Sequence, residues 1–219
     1  MDAAAWNERY DTAELIWKGE PNQFLPPEVE ALAPGRALDL ACGEGRNAVW
    51  LAGQGWDVTG VDFAGVGLAK AAQLAADRGV EATWIEADVT TWEPPHGYDL
   101  VLVFYLQLPA DARRRALTTA VRALAPGGTL LLVTHDLRNL HDGHGGPQDP
   151  VVLTTVEDVL DDLAGAELEL DAELVIERAE QVERPVVADD GTHNAIDTLV
   201  RARRIEAPPA AAAGTGATV

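Results

Sequence analysis

From residue 36 onward the chain alternates short apolar, strand-like runs with longer runs of helical period, and this alternation limits the fold more than any other feature. Residues 36–41 read as a buried strand built on Ala37, Leu38 and Leu40. Residues 45–54 read as a helix with Ala48, Leu51 and Ala52 on one face. Residues 57–62 form a second strand, and residues 65–78 an Ala-rich helix with its stop at Gly79. Residues 81–87 form a third strand, and residues 98–104 the near-continuous apolar run expected of a central parallel strand. Residues 109–124 form a helix opened by Pro109, where a missing N–H costs little. Pro126-Gly127-Gly128 then turns the chain into a strand at 129–134. Short connections of this kind imply a mostly parallel sheet with helices on both faces.

The pattern changes after residue 135. Residues 136–150 are rich in Gly, His, Asp and Pro and read as a long loop. Residues 154–163 read as a helix, and 168–182 and 195–203 as two strands. The turn signal Asp189-Asp190-Gly191 between them suggests an antiparallel hairpin closing one sheet edge. The expected fold is therefore α/β: Rossmann-like, doubly wound, with a mostly parallel seven-stranded sheet. Residues 1–34 carry Trp6, Tyr10, Trp17, Phe24 and Pro26-Pro27, which suits a helical cap packed on a domain spanning 35–205. Residues 206–219 are low in complexity and read as a disordered tail.

Composition narrows the function classes. Thirty-six acidic residues against sixteen basic ones give a formal net charge of −20. A field of that sign repels phosphate backbones and anionic membranes, so no nucleic-acid partner is expected. The single cysteine, Cys42, excludes an intrachain disulfide framework and a cysteine metal cluster. No apolar run approaches the roughly 18 residues of a membrane span. No secretory signal is visible at the start, so a cytoplasmic setting is expected, as a monomer or homodimer.

The strongest local signal lies at the first strand–helix junction, Leu38-Asp39-Leu40-Ala41-Cys42-Gly43-Glu44-Gly45-Arg46-Asn47-Ala48. A strand running through Gly-x-Gly into a helix turns backbone N–H groups toward a ligand, and glycine lets that ligand approach. Asp62 closes the second strand, where a carboxylate can take ribose hydroxyls or cap the next helix. Asp88 closes the third, on the same edge of the sheet. These residues alone fit a nicotinamide-dinucleotide oxidoreductase as well as other nucleoside-binding enzymes.

Taken with Gly60-Val61-Asp62, Ala87-Asp88-Val89, Tyr98-Asp99-Leu100-Val101 and Leu124-Ala125-Pro126-Gly127-Gly128, the junction resembles class I S-adenosylmethionine-dependent methyltransferases across residues 36–134. Gly45-Arg46-Asn47-Ala48, Leu51-Ala52, Trp6-Asn7-Glu8-Arg9-Tyr10 and Pro21-Asn22-Gln23-Phe24-Leu25 look more narrowly like the tellurite-resistance branch and its thiopurine-methylating relatives. That branch acts on small molecules and lays its N-terminal segment over the cofactor. The resemblance implies S-adenosyl-L-methionine as cofactor, S-adenosyl-L-homocysteine as product, and in-line methyl transfer to a small molecule without a metal. It implies that Asp39 and the turn through Ala41, Cys42, Gly43 and Gly45 hold the cofactor's amino-acid end. Arg46 faces its carboxylate or braces the loop. Asp62 would take the ribose, Phe63 and Val89 would sandwich the adenine, and Asp88 would bind its amino group. Phe104 and Tyr105 would lie beside the sulfonium, with Arg9, Tyr10 and Trp17 covering the methionine moiety.

The acceptor end points to Tyr105 and to His135, a base or substrate holder just after the fifth strand that titrates near neutrality when unperturbed. Arg138, Arg184 and His193 are the further substrate-facing candidates. His141 and His144 read as exposed loop residues, since zinc would need more convergent ligands. Arg113-Arg114-Arg115 occupies three successive helical positions pointing in different directions, which reads as solvated surface rather than a nucleic-acid patch.

Overall fold

The computed structural model describes residues 2–12, 14–16, 19–95 and 97–205. Trp17 and residues 206–219, read above as a cofactor cover and a tail, lie outside the described residues. In chain order the elements are α1 (Ala3–Tyr10), α2 (Leu25–Val29), β1 (Arg36–Leu40), α3 (Arg46–Gly53), β2 (Asp57–Asp62), α4 (Gly65–Arg78), β3 (Thr83–Glu86) and β4 (Tyr98–Phe104). Then follow α5 (Ala110–Ala123), β5 (Leu124–His135), α6 (Asn139–Asp142), a 3-10 turn (Pro150–Val152), α7 (Val156–Leu170), β6 (Leu174–Ala188) and β7 (Gly191–Arg204).

The seven strands form one sheet in the order β3-β2-β1-β4-β5-β7-β6. β1 to β5 are parallel, and β7 runs antiparallel between β5 and β6. Successive strand residues alternate faces. Leu38, Val101, Val103, Leu130 and Leu132 pack with Leu117 and Val121 of α5 and Val159 and Leu163 of α7. Ala37, Leu100, Leu102, Leu131 and Val133 pack instead with Leu25 of α2 and Ala48 and Leu51 of α3. Both faces are covered, which is why the central strands are apolar at most positions.

Three readings need correction. First, the helix read at 154–163 does not stop there and the strand read at 168–182 does not begin at 168: β6 starts only at Leu174, and α7 runs on to Leu170 and ends at Asp171 in the left-handed region, φ 48°. Its Ala164-Gly165-Ala166-Glu167-Leu168-Glu169-Leu170 tail alternates like a strand, but Ala, Glu and Leu favour helix. A capping box between Thr155 and Asp158 fixes the other end. Leu168 is consequently 88% exposed. Second, the 136–150 loop contains a helical turn, α6. Third, Arg113 is buried, with its Nε 2.5 Å from Asp162 of α7, while Arg114 reaches the same carboxylate at 3.2 Å. The α5–α7 packing turns one of the three arginines inward.

The N-terminal segment is pinned by polar contacts. Asn7 Oδ1 accepts the Val66 amide at 2.9 Å, capping α4, whose own N-cap residue, Ala64, has no side chain to do so. Lys70 Nζ donates to Thr12, the Glu14 carbonyl and Glu44, and Glu44 also accepts the Ile16 amide. The Asn22 amide donates to Asn47 Oδ1 at the start of α3. No helix among the described residues is long and apolar enough to cross a membrane.

Candidate active site

β2 and β3 step away from β1 on one side, and the chain then returns to place β4 on the other. The carboxyl ends of β1 and β4 therefore flank the switch point where open α/β sheets bind ligands. The chain leaves β1 through Ala41 at φ 57° and β4 through Tyr105 at φ 55°. Each is a non-glycine residue in the left-handed region, at a cost of roughly 1–3 kcal/mol. Both line a cavity of about 490 Å³.

One end of the cavity is the β1–α3 turn. Gly43 sits at φ 54°, and a Cβ on it would lie 2.6 Å from the Tyr10 hydroxyl. Gly45 starts α3 at φ 76°, where a Cβ would meet Ala71 and Trp84 at 2.6 and 2.8 Å. Asp62 Oδ2 accepts the Gly43 amide and Oδ1 the Ala64 amide, each at 2.8 Å. Burial pushes the Asp62 carboxyl up, and the amides of Ala64, Gly43 and Phe63 partly offset that. Asp39 alternates with Leu38 and Leu40 and so points to the α3 face. It is 2% exposed, and its Oδ2 has no hydrogen-bond partner. Burial pushes it up to about 7, against smaller opposing effects of the Ala48 amide and the Arg46 guanidinium. A buried, unpartnered carboxylate oxygen on a cavity wall is a site for a cationic donor. Cys42 is held well above the usual thiol range, by burial first and then by Asp39 and Asp62, which disfavours the thiolate form.

The other end is built on β5, β6 and β7. His135 and Asp197 are directly opposed across the antiparallel β5–β7 pair. Asp197 is fully buried and accepts from the Tyr105 hydroxyl at 2.8 Å and Arg184 Nε at 2.9 Å, with His135 Nδ1 at 3.2 Å. The His135 ring lies 4.6 Å from the Tyr105 ring, and the Arg184 guanidinium 5.6 Å from it. Burial favours the neutral acid in Asp197, but the bonds from His135, Arg184 and Tyr105 outweigh it and hold the carboxyl below its usual range. Burial, and then the Asp197 charge, push the Tyr105 hydroxyl well above the ordinary phenol value.

Of the residues singled out in the sequence, Tyr10, Asp39, Ala41, Cys42, Gly43, Arg46, Asp62, Phe63, Phe104, Tyr105, His135 and Arg184 line this one cavity. Gly45 lies behind it, shaping the turn. Arg9 is exposed, with its guanidinium over the Trp6 ring at 5.2 Å. Asp88 is exposed and bonded to its neighbour Thr90, and Val89 is buried in the α5–α7 side of the core. Arg138 is turned to Asp142 and Gln181, and His193 to Asp190 and the stacked ring of His144. Asp197 was not among the sequence candidates. Its signal was an acid at an inward position of an otherwise apolar strand, Ala195-Ile196-Asp197-Thr198-Leu199. Asn22, quoted only as part of a motif, also lines the cavity.

Residues 37–128 match a family model described as a methyltransferase domain. The chain is 31% identical over 167 residues to thiocyanate methyltransferase 1 of Brassica oleracea, covering 73% of each chain. It is 29% identical over 167 residues to thiocyanate methyltransferase 1 of Arabidopsis thaliana, covering 73% of this chain and 72% of that one. Among solved structures, the N-methyltransferase NodS from Bradyrhizobium japonicum in complex with S-adenosyl-L-homocysteine has a TM-score of 0.67 at 19% identity, covering 93% of this chain and 98% of that one. TehB from Haemophilus influenzae has a TM-score of 0.66 at 18% identity, covering 90% and 65%. At those identities the two structures speak to fold alone.

Proposed function

We propose that this chain, which belongs to the class I S-adenosylmethionine-dependent methyltransferases near their thiol methyltransferase branch, methylates a small sulfur nucleophile. The observation that carries the reading is one cavity with two unlike ends. An unpartnered buried carboxylate, Asp39, stands at one end and the Tyr105–His135–Arg184 cluster at the other.

The cofactor fits the first end on the chain's own terms. An α-ammonium group is the kind of donor that the orphaned Asp39 Oδ2 lacks, and the bare turn at Gly43 leaves room for it. Arg46, at the start of α3, faces the same cavity and suits a carboxylate. Asp62 keeps lone pairs for ribose hydroxyls beyond the two amides it holds. Phe63 offers a ring face to the adenine, whereas Asp88 and Val89 lie outside the cavity lining. Trp6 and Tyr10 roof the cavity and exclude water. When bound, S-adenosylmethionine supplies a methyl group on a positively charged sulfur that leaves as a neutral thioether. The protein's task is then alignment, and holding two reactants in line is worth up to about 7–11 kcal/mol.

The acceptor class follows from the relatives' thiocyanate substrate and from the second end of the cavity. Tyr105, His135 and Arg184 line it beside the apolar Leu106, Leu108 and Pro185, which suits a small, polarisable molecule. Arg138 and His193 lie outside that lining and serve at most its rim. The acidic chain favours such an acceptor, in the cytoplasm, over tRNA, rRNA or DNA. The test is a panel of thiols, thiocyanate, phenols and amines with S-adenosylhomocysteine formation read by mass spectrometry. Turnover is expected on the sulfur compounds. Turnover confined to amines or phenols would replace this acceptor class.

A further inference from the structure

We propose that Asp197 is the positioning residue of a proton-accepting pair with His135, and that the acceptor therefore arrives protonated, as a neutral thiol rather than a ready-made anion. This rests on the reading that the Tyr105–His135 end receives the acceptor. Three side chains converge on Asp197, and only one of them can take a proton. Tyr105 has a single hydroxyl hydrogen and spends it on Asp197. Arg184 is permanently charged and also donates to Asp197. His135 remains. A carboxylate with two strong donors already on it is an acceptor only, so Nδ1 of His135, 3.2 Å away, carries its ring hydrogen. Nε2 takes no hydrogen bond from any described residue, and its lone pair is available on a ring that lines the cavity. The charged and titratable groups that meet the ring or its carboxylate partner are Asp197 on β7, Arg184 on β6 and Tyr105 after β4, while Gly146 of the 143–148 loop backs Nδ1.

The step balances simply. The acceptor's S–H proton passes to Nε2, and the electron pair of that bond stays on the acceptor sulfur, where it becomes the pair that takes the methyl group. The imidazolium formed is stabilised by Asp197 and gives its proton to water after turnover.

Two measurements test this. In ¹⁵N-histidine spectra of the whole protein, the signals lost in His135→Gln identify the ring. Wild type is expected to show the Nδ1–H tautomer. Asp197→Asn, whose amide can donate as well as accept, is expected to shift it toward Nε2–H. In kinetics, His135→Gln and Asp197→Asn are each expected to lower kcat on a neutral thiol by about 100-fold or more. With thiocyanate, which has no proton to give up, the loss should be at least about ten times smaller. An Nε2–H tautomer in wild type, or equal losses on both acceptors, overturns the proposal. If Asp197→Asn does not fold, the His135→Gln comparison and the wild-type tautomer still decide. If no sulfur acceptor turns over at all, the acceptor reading fails while the tautomer still judges the pair.

Discussion

Asp39 shows how one alternating position can tie the sheet to the chemistry. Placed between two core leucines, it is forced under α3, and its burial raises the carboxyl from 3.8 to about 7. A carboxyl raised in the folded state contributes stability in full below the ordinary carboxylate range, and that contribution is lost as pH rises through about 7. The empty protein should therefore lose stability progressively from about pH 4 to about pH 7 and level off above that. A cationic donor on Oδ2 reverses the preference, so binding at pH 6 expels a proton. We expect the enthalpy of S-adenosylhomocysteine binding at pH 6 to vary with the buffer's ionisation enthalpy, and the thermal shift on binding to be larger at pH 8 than at pH 6. Asp39→Asn should lose both effects, and buffer-independent heats in wild type would contradict the assignment. Asp62→Ala should weaken S-adenosylhomocysteine binding by about 1–3 kcal/mol in calorimetry. It also releases the Gly43 and Ala64 amides, so a lower melting temperature should accompany it. Unchanged affinity would remove Asp62 from the site.

The elements are joined by polar contacts more often than the hydrophobic pattern alone suggests. Arg113 of α5 and Asp162 of α7 form a buried pair between helices that otherwise meet through Leu117, Val159 and Leu163. Arg114 also reaches that carboxylate at 3.2 Å, so Arg113→Met should cost less than a fully orphaned buried charge would, about 1–3 kcal/mol. Arg113→Met combined with Asp162→Leu should recover most of that loss in urea denaturation. A double mutant no better than the single would show that the pair does not act as a unit. This pair also marks the limit of the sequence reading. The strand–helix alternation and the first-strand turn were legible because they depend on local periodicity and on glycines that no other residue replaces well. Partners distant in the chain were not. Asp162 is 49 residues from Arg113, and Asp197 is 92 from Tyr105. Nothing local says which inward-facing acid meets which base. The α7 tail failed for a different reason: Glu-Leu-Glu-Leu satisfies both a period of two and a strong helix propensity, and only packing settles which prevails.

At the scale of the whole molecule, the charge of −20 and the cavity work against each other. Arg46 and Arg184 line the cavity, so an anion is attracted at short range and repelled on approach by the surrounding field. These two interactions respond differently to salt. The long-range one is screened beyond about 10 Å at 0.1 M ionic strength, whereas contacts inside a partly buried cavity are screened much less. Raising NaCl from low to moderate concentration should therefore raise kcat/KM for thiocyanate and leave it nearly flat for a neutral thiol. The same screening should raise the thermal midpoint, since self-repulsion of a highly charged chain opposes its compact state. A nucleic-acid enzyme would behave oppositely, because phosphate contacts weaken steeply with salt. Activity on thiocyanate that falls with salt would mean that the local arginines, not the global field, govern encounter, and that the acidic surface does not set the acceptor's rate of arrival.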